Sequence, residues 1–191
     1  MQRWPYLISD HEITLRPIRY RDRLVWGQVR RFNSEWLAPW EATRPAIESD
    51  GQLPTFFEMI RHYNREAREL RSISLAIWLK EEGREFFIGQ LTLGGVVLGA
   101  YRGAHIGYWI DQRYANRGYT TRAVKALTNF AFTEIRLHRI EINLRPENAA
   151  SRKVAEKSGY TLEGVRPRYL HIAGEWRDHL TFVAENPNNF N

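Results

Sequence analysis

The chain has 191 residues, a formal net charge of +6, 43% hydrophobic residues, seven tryptophans and no cysteine. That length suits one domain over 1–191 with a core at about 12–184, and the apolar content offsets chain entropy, which excludes a disordered or fibrous chain. The lack of cysteine excludes disulfides, thiolate metal sites and a thiol nucleophile, and no segment has signal-peptide character or approaches the roughly 18 apolar residues that span a bilayer, so a cytoplasmic protein with no membrane association is expected.

Residues His11 to Ile18 alternate as a first strand, and Tyr20 opens a helix through about Phe32. A short helical turn broken by Pro39 follows, then a helix from about Pro54 to Leu70 with Phe57, Ile60, Tyr63, Ala67 and Leu70 on its apolar face. From Ser72 the period becomes two: Ile73 to Leu79, Phe86 to Val97 and Ala104 to Ile110 read as an antiparallel meander with turns at Glu82-Gly83 and Tyr101-Gly103. A helix over Tyr119–Arg136, a strand over His138–Leu144, a helix over Ala149–Ser158 and strands near Tyr160–Ile172 and Trp176–Ala184 complete a mixed α/β pattern with seven strands. The tail from Glu185 to Asn191 reads as frayed, and whether residues 33–53 form a lid is open at this point.

The chemistry is concentrated between Asp111 and Thr121. A strand there feeds a helix through basic residues, an Asn and a Gly, and the first turn carries Thr120 and Thr121. Such a loop presents unpaired N–H groups to an anion, as a pyrophosphate requires, although an ordinary strand-to-helix turn has the same ingredients. No Gly-Lys-Ser/Thr closes it and the spaced glycines of a dinucleotide loop are absent. The six histidines show no zinc-protease spacing, and no G-x-S-x-G elbow exists, so no metal is called for.

Arg113-Tyr-Ala-Asn116-Arg117-Gly118 resembles the Gln/Arg-x-x-Gly-x-Gly/Ala loop of the GNAT acetyl-CoA-dependent N-acetyltransferases, with Asn116 where the first Gly stands. Asn is the non-glycine residue that best tolerates the left-handed region. Gly107 to Asp111, His138 to Ile142, Asn148 to Tyr160 and Trp176 to His179 are similar to the RimJ/RimL branch, which acetylates protein N termini, as is the upstream series Asn33, Trp36, Leu37, Pro39, Trp40 and Glu41. The resemblance implies a mostly antiparallel sheet with a V-shaped splay between the fourth and fifth strands, at 104–110 and 138–144. It further implies acetyl-CoA as cosubstrate, its pantetheine arm beside the first of these strands, and an N–H near Trp109 or Ile110 polarising the thioester carbonyl.

By the same resemblance Arg113, Asn116, Arg117, Gly118, Tyr119, Thr120 and Thr121 belong to the cofactor loop. Asn148 and Ser151 face the cofactor, Ser151 as general acid toward sulfur, although both also read as helix-start caps. Glu141 is the candidate base, with an ion-paired strand carboxylate as the alternative. Lys153 and Lys157 are candidates for the adenosine 3′-phosphate or simply solvated lysines. Trp36, Trp40, Tyr108, Asp178 and His179 line the acceptor side in this reading, with the aromatics as plain core residues the alternative.

An α-amino group, with a reference pKa of about 8 against about 10.4 for lysine, needs little help from a base near neutrality. This favours a terminal amine over lysine, and the resemblance implies that the acceptor is a protein N terminus of the ribosomal Ala/Ser type. The rivals are a small-molecule amine acetyltransferase, an acyl-CoA sensor without turnover, and a basic RNA-associating protein, the last lacking any sequence-specific nucleic-acid motif. A monomer and a homodimer are equally compatible with these features.

Overall fold

The computed structural model describes residues 4–45 and 53–188, so residues 46–52 of the suspected lid lie outside the described part. One sheet of eight strands runs in the order β1-β2-β3-β4-β5-β6-β8-β7. The strands are β1 Ile8–Asp10, β2 Ile13–Arg16, β3 Ile73–Glu81, β4 Arg84–Val97, β5 Gly103–Ile110, β6 Arg139–Leu144, β7 Thr161–Ile172 and β8 Glu175–Glu185. Neighbours are antiparallel except β5 and β6, which are parallel and joined by a helix, as a parallel connection requires. No helix among the described residues is long and apolar enough to cross a membrane.

The eighth strand comes from the start of the chain. The expected first strand is a hairpin, in which His11 takes φ 49° and turns Ile8–Asp10 back against Ile13–Arg16. The turn depends on a left-handed backbone at a non-glycine residue, which the sequence does not advertise. The long expected helix after it divides into a 3-10 turn at Tyr20–Asp22 and α1 (Arg23–Phe32), followed by α2 (Ser34–Leu37).

Helix α3 (Phe56–Arg68) starts at a capping box in which the Thr55 side chain accepts the Glu58 amide and the Glu58 carboxylate accepts the Thr55 amide. Its inner face is carried by Ile60 and Ala67, while Phe57 is turned outward beside Tyr20. The Phe57 assignment to the core face is corrected accordingly, since Phe56, one residue earlier, is the ring that packs on Trp26.

Two cores sandwich the sheet. Helix α4 (Tyr119–Thr133) and α5 (Ala149–Lys157) cover one face with Ala123, Val124, Leu127 and Ala155 fully buried, and α1 and α3 cover the other, Val29 and Ile60 clustering with Trp78 of β3 and Phe87 of β4. Because both faces of β3 are covered, Ile73 through Leu79 are all buried, and alternation between wet and dry residues disappears in that strand. Each fully buried aliphatic side chain contributes roughly 1.5–3 kcal/mol to this framework.

The chain is tied down beyond β8 at Asn186. Asn186 is buried, its Nδ2 donating to the Leu137 and Phe132 carbonyls at 2.9 and 3.2 Å and its amide to the His138 carbonyl at 2.8 Å. The frayed tail is therefore corrected at this residue, and residues 189–191 lie outside the described part.

Candidate active site

Strands β5 and β6 pair only at Gly103, Ala104 and His105, opposite Arg139, Ile140 and Glu141. Beyond that point they separate, because β5 stays paired to β4 as far as Ile110 and β6 stays paired to β8 as far as Leu144. The separation forms a cavity of about 1010 Å³ running from Trp36 and Trp40 on one side of the sheet to Lys153 and Lys157 on the other. The splay thus falls between the two segments anticipated, now the fifth and sixth strands of eight.

The wedge exposes main chain. The Asp111 amide donates to the Ile88 carbonyl at 2.8 Å, and a Cβ on Gly89 would come within 2.4 Å of the Trp109 carbonyl. Backbone groups alternate between a strand's two neighbours, so Trp109 and Asp111 face β4 whereas Tyr108 and Ile110 face the gap. Of the two amides suggested from sequence, Ile110 supplies the one in the gap, and Trp109 is corrected to a wall residue whose ring packs edge-on against Phe87.

At the mouth, Asn116 has φ 61° and Gly118 φ 82°, so Asn does occupy the left-handed position of the motif's first glycine. The amides of Asn116, Arg117 and Gly118 have no protein acceptor among the described residues, and the first α4 bond runs from the Arg122 amide to the Gly118 carbonyl. The amides of Tyr119, Thr120 and Thr121 therefore precede the helical ladder, and together these groups form an open donor cradle at a helix N-terminus. Nothing lies within 4 Å of where a Gly118 Cβ would stand.

The two arginines of the loop do not join the cradle lining. Arg113 is folded back, its Nε donating to Asp111 Oδ2 at 3.0 Å with its guanidinium over the Phe32 ring, and Arg117 lies over Tyr114. Asp111 is fully buried and claims the Arg113 charge, which is why that side chain is corrected from cofactor contact to loop brace.

Across the gap, the Tyr108 hydroxyl is 2.8 Å from Ser151 Oγ and 3.2 Å from the Ser151 carbonyl. Asn148 caps α5 by accepting the Ser151 amide at 2.9 Å, so the capping reading of Asn148 holds while both residues also line the cavity. Burial pushes the Tyr108 hydroxyl up to about 12, against a smaller opposing pull from Ser151, and the pair stays protonated through the neutral range.

Glu141 does not reach this gap. It sits at the closed end of the splay opposite His105, 6% exposed, with Arg166 at 2.7 Å and Arg139 at 3.1 Å. The ion-paired alternative is the one the structure takes, and Glu141 is corrected as a base. Asp178 is likewise outside the lining: it is exposed and accepts the Arg168 amide at 2.7 Å, bracing the irregular part of β7. Trp36, Trp40, Tyr108 and His179 do line the cavity.

The acceptor wall is fastened in place. Arg145 donates to the Pro39 carbonyl at 2.9 Å and lies over the Trp40 ring, Ala42 bridges Ile172, and the Thr43 amide donates to the His171 carbonyl at 2.8 Å. Residues 39–43 form a fixed wall rather than a free lid. Sequence reasoning named Asn33 and Asp111 only as motif positions, whereas both are fully buried braces, Asn33 on the Gln112 amide and Asp111 on Arg113, and it gave no role to Gln90, Asn143 or Arg145, which line the cavity.

A splayed sheet with an amide cradle at its mouth defines an acyl-carrier-dependent transferase of the GNAT type. The Acetyltransferase (GNAT) domain family matches residues 12–161, and the chain belongs to that family. Among similar proteins, the [Ribosomal protein uS5]-alanine N-acetyltransferase of Escherichia coli K12 is 24% identical over 184 residues, covering 94% of this chain and 91% of that protein. The structure of Mycobacterium smegmatis RimJ in complex with CoA-disulfide superposes with a TM-score of 0.86 at 33% identity, covering 98% of this chain and 91% of that one. YjcK of Bacillus subtilis strain 168 is 38% identical over 100 residues, and the chain spans 55% of its length.

Proposed function

We propose that the chain transfers the acetyl group of acetyl-CoA to the α-amino group of a protein N terminus, with ribosomal proteins as the substrate class. The observation that carries this reading is the row of unpaired amides from Asn116 to Thr121 opening on the splay between β5 and β6. The relatives support both halves of this reading: one is named for acetylating an alanine of ribosomal protein uS5, which bears on the acceptor, and RimJ was solved with a CoA species, which bears on the carrier. A ribosomal substrate corresponds to a cytoplasmic setting.

The residues present fit the carrier. The cradle amides and the α4 N-terminus would hold the pyrophosphate, and exposed Lys153 and Lys157 at the same end of the cavity would meet the 3′-phosphate. Acetyl-CoA supplies an acyl group already activated as a thioester. The Ile110 amide stabilises negative charge growing on the carbonyl oxygen, because its direction is set in advance by β5. Ser151, hydrogen-bonded to Tyr108, delivers a proton to the departing sulfur, whose thiol has a reference pKa of about 8.5. The acceptor amine approaches from the side of Trp36, Trp40 and His179.

Calorimetric titration with acetyl-CoA tests the cradle. The wild type is expected to bind, and Gly118→Trp, which fills the open space beside the amides at a positive φ, is expected to abolish binding. Undiminished binding by the variant would move the carrier elsewhere. Thiol release with peptides bearing free Ala or Ser termini, compared with polyamines and amino sugars, tests the acceptor, and turnover of the small amines alone would overturn the protein substrate.

A further inference from the structure

We infer that His179 is the general base that takes the proton from the acceptor amine, acting through Nε2. The inference rests on the terminal-amine reading above and assigns the one catalytic role that the Glu141 geometry leaves vacant.

Among the described residues, His179 is the single histidine that lines the cavity, and it is only 3% exposed. Its Nδ1 lies 3.0 Å from the Arg177 carbonyl oxygen. A carbonyl can only accept, so Nδ1 carries the ring proton and Nε2 carries the lone pair. Nε2 has no protein partner among the described residues, and the Tyr169 ring, edge-on at 5.6 Å, holds the imidazole in place. The next inward-facing position on β8 is Thr181, whose hydroxyl donates to Asn143, another lining residue, at 2.7 Å. His179 thus stands on the same polar face as the acceptor wall, while on the other side Tyr108 of β5 meets Ser151 of α5 across the gap. Base and acid are separated by the wedge in which the acyl carbon would lie.

Burial of the ring favours the neutral form. Burial pulls its pKa below the ordinary 6.5, against the opposing effect of the Arg177 carbonyl. Arg145 also lowers it, and Asp178 and Glu147 raise it by lesser amounts. Arg166 is its cross-strand partner on β7, but that guanidinium is committed to Glu141. The ring is therefore uncharged at neutral pH, with its Nε2 lone pair available to accept a proton.

The proton count closes. One N–H bond of the substrate ammonium breaks and its proton passes to Nε2, freeing the nitrogen lone pair. That lone pair forms the C–N bond as the C–S bond breaks. The sulfur takes a proton from the Tyr108–Ser151 pair, which is restored by the second proton lost from nitrogen, and Nε2 returns its proton to solvent. The sum is ammonium plus thioester giving amide, thiol and one released proton.

The test uses the full chain, wild type and His179→Gln, with a terminal-amine peptide. Wild-type kcat/KM is expected to show an acid limb below pH 6.5 in addition to the amine's own titration, and the variant to lose that limb together with about 10²-fold or more of kcat/KM at neutral pH, while calorimetry gives both proteins the same acetyl-CoA affinity. Nitrogen NMR of the histidine rings without any ligand provides a second readout: the signal absent from His179→Gln should report a neutral ring protonated at Nδ1 at pH 7. An unaltered acid limb in the variant, or a wild-type ring protonated at Nε2, would overturn the role of His179 and leave the terminal-amine reading intact. Acetyl-CoA binding without turnover of any terminal-amine peptide would instead remove that reading, and the role with it.

Discussion

The side chain of Asn33, fully buried at the junction of α1 and α2, accepts the Gln112 amide at 2.9 Å and donates to the Val29 carbonyl at 2.9 Å. The first of these bonds ties the acceptor wall to the start of the cofactor loop, 79 residues away in the chain. Asn33→Ala leaves the Gln112 amide without its acceptor, and denaturant unfolding is expected to show a loss of about 1–3 kcal/mol. Acetyl-CoA affinity should fall in the same variant, since the loop that presents the cradle loses its brace. Unchanged stability and affinity together would show the bond to be incidental.

Tyr108 and Ser151 act as one unit in the proposed proton delivery. Each of Tyr108→Phe and Ser151→Ala is expected to lower kcat by about 10²-fold with little change in the acetyl-CoA dissociation constant. The double variant should lose scarcely more than either single one, because residues sharing a hydrogen-bond network are not additive. Steady-state kinetics on the four proteins checks this, and fully multiplicative losses would separate the two hydroxyls.

Arg122, in the first turn of α4, grips the β1–β2 hairpin through the Asp10 carboxylate at 2.8 Å and the Glu12 carboxylate. The Arg122 hydrogen bond holds the Glu12 carboxyl down at about 2 rather than 4.5. A lowered carboxyl pKa contributes stability that is whole above pH 4.5 and is lost as pH falls from there through 2. Arg122→Gln should therefore melt below the wild type at pH 7, and the difference should shrink across that acid window. Thermal melts from pH 7 to pH 2 measure it, and a gap independent of pH would assign the effect to packing instead.

What the sequence determined by itself was local. The period-two runs in β3 to β5, the helix after Gly118 and the left-handed tolerance of Asn116 are written in neighbouring residues, and so is the cradle, because a helix start leaves its amides open wherever it occurs. Tertiary structure decided everything that depends on a partner distant in the chain. Glu141 and His179 lie on the strands β6 and β8, which run side by side, and nothing near either in sequence separates their fates. Two arginines, one of them from β7, close on Glu141 at the paired end of the splay, whereas a carbonyl two residues earlier in β8 orients the His179 ring beside the open end. Whether a polar group is neutralised or left available depends on what the fold brings within hydrogen-bond distance, and that becomes known only when the strands have found their neighbours.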